Sequence, residues 1–127
     1  TKAALLGGVT SIIEMPNTTP PTTSEAALQQ KLDIAADSAW TNYAFYAGAS
    51  ADNIEQLAQL EQLPGCAGIK VFMGSSFGSL LVDDTQVLRA ILRQCQRRVA
   101  VHAEDEQRLR ARKALAVASG KVLFHPE

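Results

Sequence analysis

The chain has 127 residues, with 12 lysines and arginines against 13 aspartates and glutamates and a net charge of -1. That balance excludes the polycationic surface that nucleic acid or an anionic membrane selects, so neither is expected as a partner. Hydrophobic residues make up 46% and charged residues 20% of the chain, enough apolar material for a packed core, yet no unbroken apolar run approaches the ~20 residues of a membrane-spanning helix.

Cys66 and Cys95 lack C-x-x-C spacing and sit in apolar contexts, which reads as reduced thiols in a cytoplasmic protein. No basic stretch followed by an apolar one opens the chain, so no signal peptide is expected. The opening run from Thr1 to Gly8 reads as the last turn of a helix closed by a glycine pair. Residues 1–127 are therefore expected to be an incomplete segment of one larger domain.

Residues 9–15, Val-Thr-Ser-Ile-Ile-Glu-Met, predict a strand, and the proline- and hydroxyl-rich run 16–24 a loop. Ser24 is placed to cap a helix running to about Ala39, with Leu28, Leu32 and Ala35 on one face. A second strand is predicted at 41–47, then a helix at 51–63 with Ile54, Leu57 and Leu60 inward, stopped by Pro64-Gly65. A third strand at 67–73 and a Gly/Ser loop to Asp84 precede a helix at 85–97, with Leu88, Ile91, Leu92 and Cys95 as its apolar stripe. The last unit is a strand at 99–103 and a helix at about 104–119 capped by Gly120.

This β-α alternation with short connections predicts an α/β fold with parallel strands. Two architectures accommodate four such units: a small doubly wound sheet, or part of a (β/α)8 TIM barrel, whose full size is ~250 residues. The first βα turn, Met15-Pro16-Asn17-Thr18-Thr19-Pro20, is not G-x-G-x-x-G, and Gly74 to Gly78 lacks the ending of a phosphate loop. Asn17, Lys70 and His102 instead place polar side chains at the carboxyl ends of strands, where barrels carry their chemistry. The partial barrel is the favoured reading.

Strand alternation turns Ile69 and Val71 to the helices and Lys70 and Phe72 to the opposite face. A lysine there is either paired or snorkelling, or it is a neutral amine able to take up carbon dioxide as a carbamate whose oxygens bridge two metal ions. His102 follows the same alternation, inward with Ala100 while Val99 and Val101 face the helices, one α-β unit after Lys70. On neighbouring strands the two side chains can share one metal centre; the alternative is a mouth histidine with local partners. Asn17 either hydrogen-bonds a small polar substrate or closes an Asx turn in its own loop. Glu104 and Asp105 suit the N-terminus of the last helix, Arg108, Arg110, Arg112 and Lys113 its solvated face, and His125 a loop.

Glu14-Met-Pro-Asn-Thr-Thr-Pro-Pro-Thr-Thr23, Gly68-Ile-Lys-Val-Phe-Met-Gly-Ser-Ser76 with Leu81-Val-Asp83, and Val99-Ala-Val-His-Ala-Glu-Asp105 together resemble the dihydroorotase family of the amidohydrolase superfamily. The resemblance runs nearly the whole chain and implies strands two to five of an eight-stranded barrel. It implies that Lys70 is a carboxylated lysine bridging one or two zinc ions, His102 a metal ligand and Asn17 a substrate-binding residue. The implied activity is reversible hydrolysis of the ring amide of dihydroorotate, giving carbamoyl aspartate, in pyrimidine biosynthesis. Proton transfer is assigned in the family to an aspartate of strand eight, which has no counterpart in this chain, so no catalytic acid or base is expected within it. The strand-one H-x-H, the arginine after it and the strand-six histidine are also without counterpart. The run Gly74 to Ser79 has Phe77 and Ser79 where many relatives have Thr and Asn. A homo-oligomer is expected. Allantoinase or hydantoinase is the nearest alternative activity, and a catalytically silent scaffold for aspartate carbamoyltransferase the alternative of a different class.

Overall fold

A computed structural model describes residues 1–74, 76 and 78–120; His125 and Phe77 therefore lie outside the described residues. Four strands, β1 (Ser11–Glu14), β2 (Asn42–Gly48), β3 (Cys66–Phe72) and β4 (Val99–His102), form one parallel sheet in chain order, curled as part of a barrel wall. The helices are α1 (Lys2–Leu6), α2 (Glu25–Ser38), α3 (Leu57–Leu60), α4 (Thr85–Gln94) and α5 (Glu106–Ala118), with 3-10 turns at Ile54–Gln56 and Gly78–Leu80. The β-α alternation is the one predicted. Among the described residues no helix is long and apolar enough to cross a membrane.

The core lies between the sheet and its helices. Phe45 and Ala47 of β2 and Ile69 and Val71 of β3 meet Leu28 of α2, Leu57 and Leu60 of α3 and Ile91 of α4. Burying each large aliphatic side chain contributes roughly 1.5–3 kcal/mol, so this contact holds the helices to the sheet. Caps set the helix starts: the Ser24 hydroxyl accepts from Ala27 N, the Asp84 carboxylate from Gln86 N and Val87 N, and the Asp105 carboxylate from Arg108 N.

Three expectations need correction. The helix predicted at 51–63 shrinks to a 3-10 turn and the single turn α3, because the Asn53 side chain accepts from Ser50 N at 2.9 Å and holds residues 50–53 in a non-helical turn. Helix α4 stops at Gln94 instead of Arg97, and Leu92 is exposed while Ile91, Leu88 and Cys95 pack inward. Val101 has the helix-facing direction, yet it is 49% exposed, since α5 buries no residue at all against the sheet.

Strand β3 begins with a bulge. Phe45 pairs with Cys66 but Tyr46 with Gly68, leaving Ala67 as the extra residue. Gly68 has φ +143°, and a Cβ there would sit 2.3 Å from the Arg98 carbonyl oxygen, which instead accepts Ile69 N at 2.9 Å. Only glycine permits that approach, and through it β4 enters the sheet in register, with Lys70 opposite Ala100 and Phe72 opposite His102.

Candidate metal centre at the strand ends

With Ile69 and Val71 fully committed to the core, β3 turns Lys70 and Phe72 to the other face, as the alternation required. Lys70 is only 6% exposed. Its Nζ donates to the Val71 carbonyl at 3.0 Å and lies 4.1 Å from the centre of the Phe72 ring. Among the described residues no carboxylate pairs with it, so the charged form has a carbonyl and a ring face as its compensation. Burial accordingly pushes the Lys70 amine below its ordinary value of 10.5, enlarging its neutral fraction.

His102 ends β4 directly opposite Phe72, two rungs beyond the Lys70–Ala100 pair. Its imidazole stacks near Phe72, with ring centroids 6.2 Å apart and planes inclined by 29°. The Phe72 ring thus neighbours both the amine and the imidazole. The His102 Nε2 lies 3.0 Å from Glu104 Oε2. Glu104 thus partners the histidine, while the N-cap of α5 is Asp105, whose side chain accepts from Arg108 N. Among the described residues, no three His, Cys, Asp or Glu side chains converge as a metal-binding group.

Asn17 follows the buried Pro16, is itself exposed, and its carboxamide makes no hydrogen bond among the described residues. The Asx turn weighed for it does not form. Its position at the end of β1 puts it on the same rim of the sheet as the chain leaving β3 and β4.

No family model matches the sequence. A dihydroorotase of Methanosarcina mazei is 34% identical over 107 residues, covering 83% of this chain and 23% of that protein. An allantoinase of Streptomyces avermitilis is 36% identical over 118 residues, covering 87% of this chain and 26% of that protein. The structure of an L-hydantoinase (dihydropyrimidinase) from Arthrobacter aurescens superposes with a TM-score of 0.83 at 30% identity, over 94% of this chain and 27% of that one. The chain belongs to the cyclic amidohydrolase family. It spans about a quarter of the length of the relatives it matches. Its four parallel strands correspond to part of the hydantoinase barrel.

Three further residues of this cyclic amidohydrolase segment matter to the site or to the strands that carry it: Asn53 at the rim, Glu61 at the opposite end of the sheet, and Phe72 between the site residues. Asn53 is buried; its Nδ2 donates to Thr23 O and Gly48 O, both at 2.9 Å. With Thr22 N donating to Pro16 O at 3.0 Å and Gly48 N to Thr22 O at 2.7 Å, the loop bearing Asn17 is closed on itself and fastened to the end of β2. Glu61 is fully buried, and its carboxylate accepts Gln96 N at 2.7 Å and Arg97 N at 3.0 Å, fixing the path from α4 into β4. Phe72 was read as an interior residue, but its contact with both Lys70 and His102 gives it a part in the site. The spacing Ser50-x-x-Asn53 is the one local signal available, a polar turn motif; the partners of Glu61 lie 35 and 36 residues away.

Proposed function

We propose that the protein bearing this chain is a zinc-dependent dihydroorotase, opening and closing the ring amide of dihydroorotate. The observation that carries the metal reading is the buried Lys70 amine, with no carboxylate partner among the described residues and with burial favouring its neutral form. A neutral Nζ attacks the carbon of carbon dioxide; an N–C bond forms, an electron pair moves to oxygen and the nitrogen releases a proton to water. The product carbamate carries one negative charge shared between two oxygens, so Lys70 would hold one or two zinc ions through them and His102 would add an imidazole nitrogen. The two side chains fit that donor set in type, one oxygen donor and one nitrogen donor on adjacent strands. The chemistry supplied by zinc at such a site is Lewis-acid polarisation of the ring carbonyl.

Asn17, with a free carboxamide offering two donors and an acceptor, suits the amide and carboxylate groups of dihydroorotate. Met15-Pro16-Asn17-Thr18 is the feature that favours dihydroorotate over other rings. Allantoin or a hydantoin is the second reading, favoured by the similar identity to the allantoinase relative.

The test uses the full-length protein, stripped of metal and reloaded with zinc in bicarbonate. Lys70→Ala and His102→Ala are expected to lose zinc and ring-opening activity together, while Asn17→Ala keeps its zinc and shows a raised KM. Unchanged zinc content and rate in both of the first two variants would overturn the metal reading, and faster turnover of allantoin than of dihydroorotate would transfer the protein to the second.

A further inference from the structure

The imidazole of His102 is restrained from more directions than its place at the end of an edge strand requires. Met73 N donates to the His102 carbonyl at 3.0 Å, tying its backbone to the end of β3, and Glu104 N donates to the same carbonyl at 3.2 Å in a tight turn. That turn folds Glu104 back so that its Oε2 meets His102 Nε2 at 3.0 Å. From the other side Gly74 leaves no room: a Cβ there would stand 2.8 Å from Glu104 Cβ and 3.2 Å from its carbonyl oxygen. The absent side chain at 74 lets the chain leaving β3 press against Glu104, while the Phe72 ring flanks the imidazole.

A carboxylate only accepts hydrogen bonds, and a neutral imidazole has one N–H and one lone-pair nitrogen. The contact therefore assigns the proton to Nε2 and leaves Nδ1 as the nitrogen able to donate a lone pair. We infer that Glu104 is the positioning residue of His102, fixing its tautomer and ring orientation so that Nδ1 is presented, with Gly74 as the space that lets it do so. This rests on the reading of His102 as a metal ligand. Its physical content is separate, because the tautomer is a property of the protein without metal.

The experiment has two readouts. In metal-free full-length protein with 15N-labelled histidine, at a pH where the ring is neutral, the signal missing from His102→Ala identifies the residue. The wild type is expected to show Nε2 as the protonated nitrogen and Nδ1 as the bare one. In Glu104→Ala the ring should relax toward a mixture of tautomers and zinc affinity should fall about 10- to 100-fold, the usual effect of removing such an outer partner. Glu104→Gln keeps an acceptor oxygen and should retain the tautomer, with a smaller loss of affinity. Gly74→Ala, which displaces Glu104 without touching its carboxylate, should move both readouts in the direction of Glu104→Ala. A wild-type ring protonated at Nδ1 would overturn the inference even if every variant failed to fold. So would an unchanged tautomer and zinc affinity in folded Glu104→Ala. If His102→Ala leaves zinc affinity intact, the ligand reading fails instead, whatever the spectra show for Glu104.

Discussion

Replacing Glu61 with alanine would test whether a fully buried carboxylate holds the α4–β4 connection. Its two oxygens accept Gln96 N at 2.7 Å and Arg97 N at 3.0 Å, and its own carbonyl accepts Arg97 Nη1 at 2.5 Å. Truncation leaves two amides without acceptors, and each such group costs about 1–3 kcal/mol when water cannot replace the partner. Gln96 and Arg97 are themselves exposed, so water reaches part of the site and the lower half of the range applies. The expected loss of unfolding free energy is about 2–4 kcal/mol for Glu61→Ala and about half that for Glu61→Gln, which keeps one acceptor. Urea unfolding followed by circular dichroism reads it as a lower midpoint at unchanged slope. A second signature is independent of stability. The Cys95 thiol is pushed up to about 11, first by burial and second by the Glu61 charge, so Glu61→Gln should lower that value while burial keeps it above 9.0. A loss below about 0.5 kcal/mol, the range of an ordinary surface change, or a Cys95 titration indifferent to Glu61→Gln, would refute the reasoning.

Gly68→Ala should destabilise by about 2 kcal/mol or more, because φ +143° is strained for any side chain and the Arg98 carbonyl 2.3 Å from the new Cβ must move; an unchanged melting temperature would contradict it. Asn53→Asp removes both donors to Thr23 O and Gly48 O, and is expected to raise KM for the ring substrate several-fold while zinc content stays the same; a fall in kcat at constant KM would count against it. Cys95 has a folded value near 11 against an ordinary 9.0, so its proton is retained longer in the folded state. Its contribution to stability is complete below pH 9.0 and lost as pH rises through about 11, so the urea midpoint should fall across that window more steeply in the wild type than in Cys95→Ser.

Much of the sheet was legible because strand alternation is a strict rule. Ile69 and Val71 in the core leave Lys70 and Phe72 no other side, and the Pro-rich run after β1 and the Gly/Ser run after β3 mark where those strands end. Helix extents were less legible, since periodicity records which residues tolerate a helix and not which hydrogen bonds compete with it. Asn53 diverts residues 50–53 into a turn, and Glu61 captures the amides just beyond α4. The candidate site divides in the same way. Lys70 and His102 were visible from their strand positions, whereas Glu104 looked like one more acidic residue at a helix start. Its contact with His102 depends on a backbone reversal and on the emptiness of Gly74, neither of which a composition or a period encodes.

The closed loop beside β1 changes what counts as an exchangeable part of this rim. Residues 16–22 are contiguous, but their shape is dictated by Gly48, whose amide takes the Thr22 carbonyl, and by Asn53, which clasps Thr23 and Gly48 together. Gly48 is further constrained by packing, as a Cβ there would meet Pro16 at 3.2 Å and Leu80 at 2.7 Å. A graft of the Asn17 loop into another barrel would carry its sequence and leave its fastening behind. The transplantable unit is discontinuous, loop 16–23 together with residues 48–53. Substitutions that retune specificity at this rim therefore have to be drawn from both segments at once.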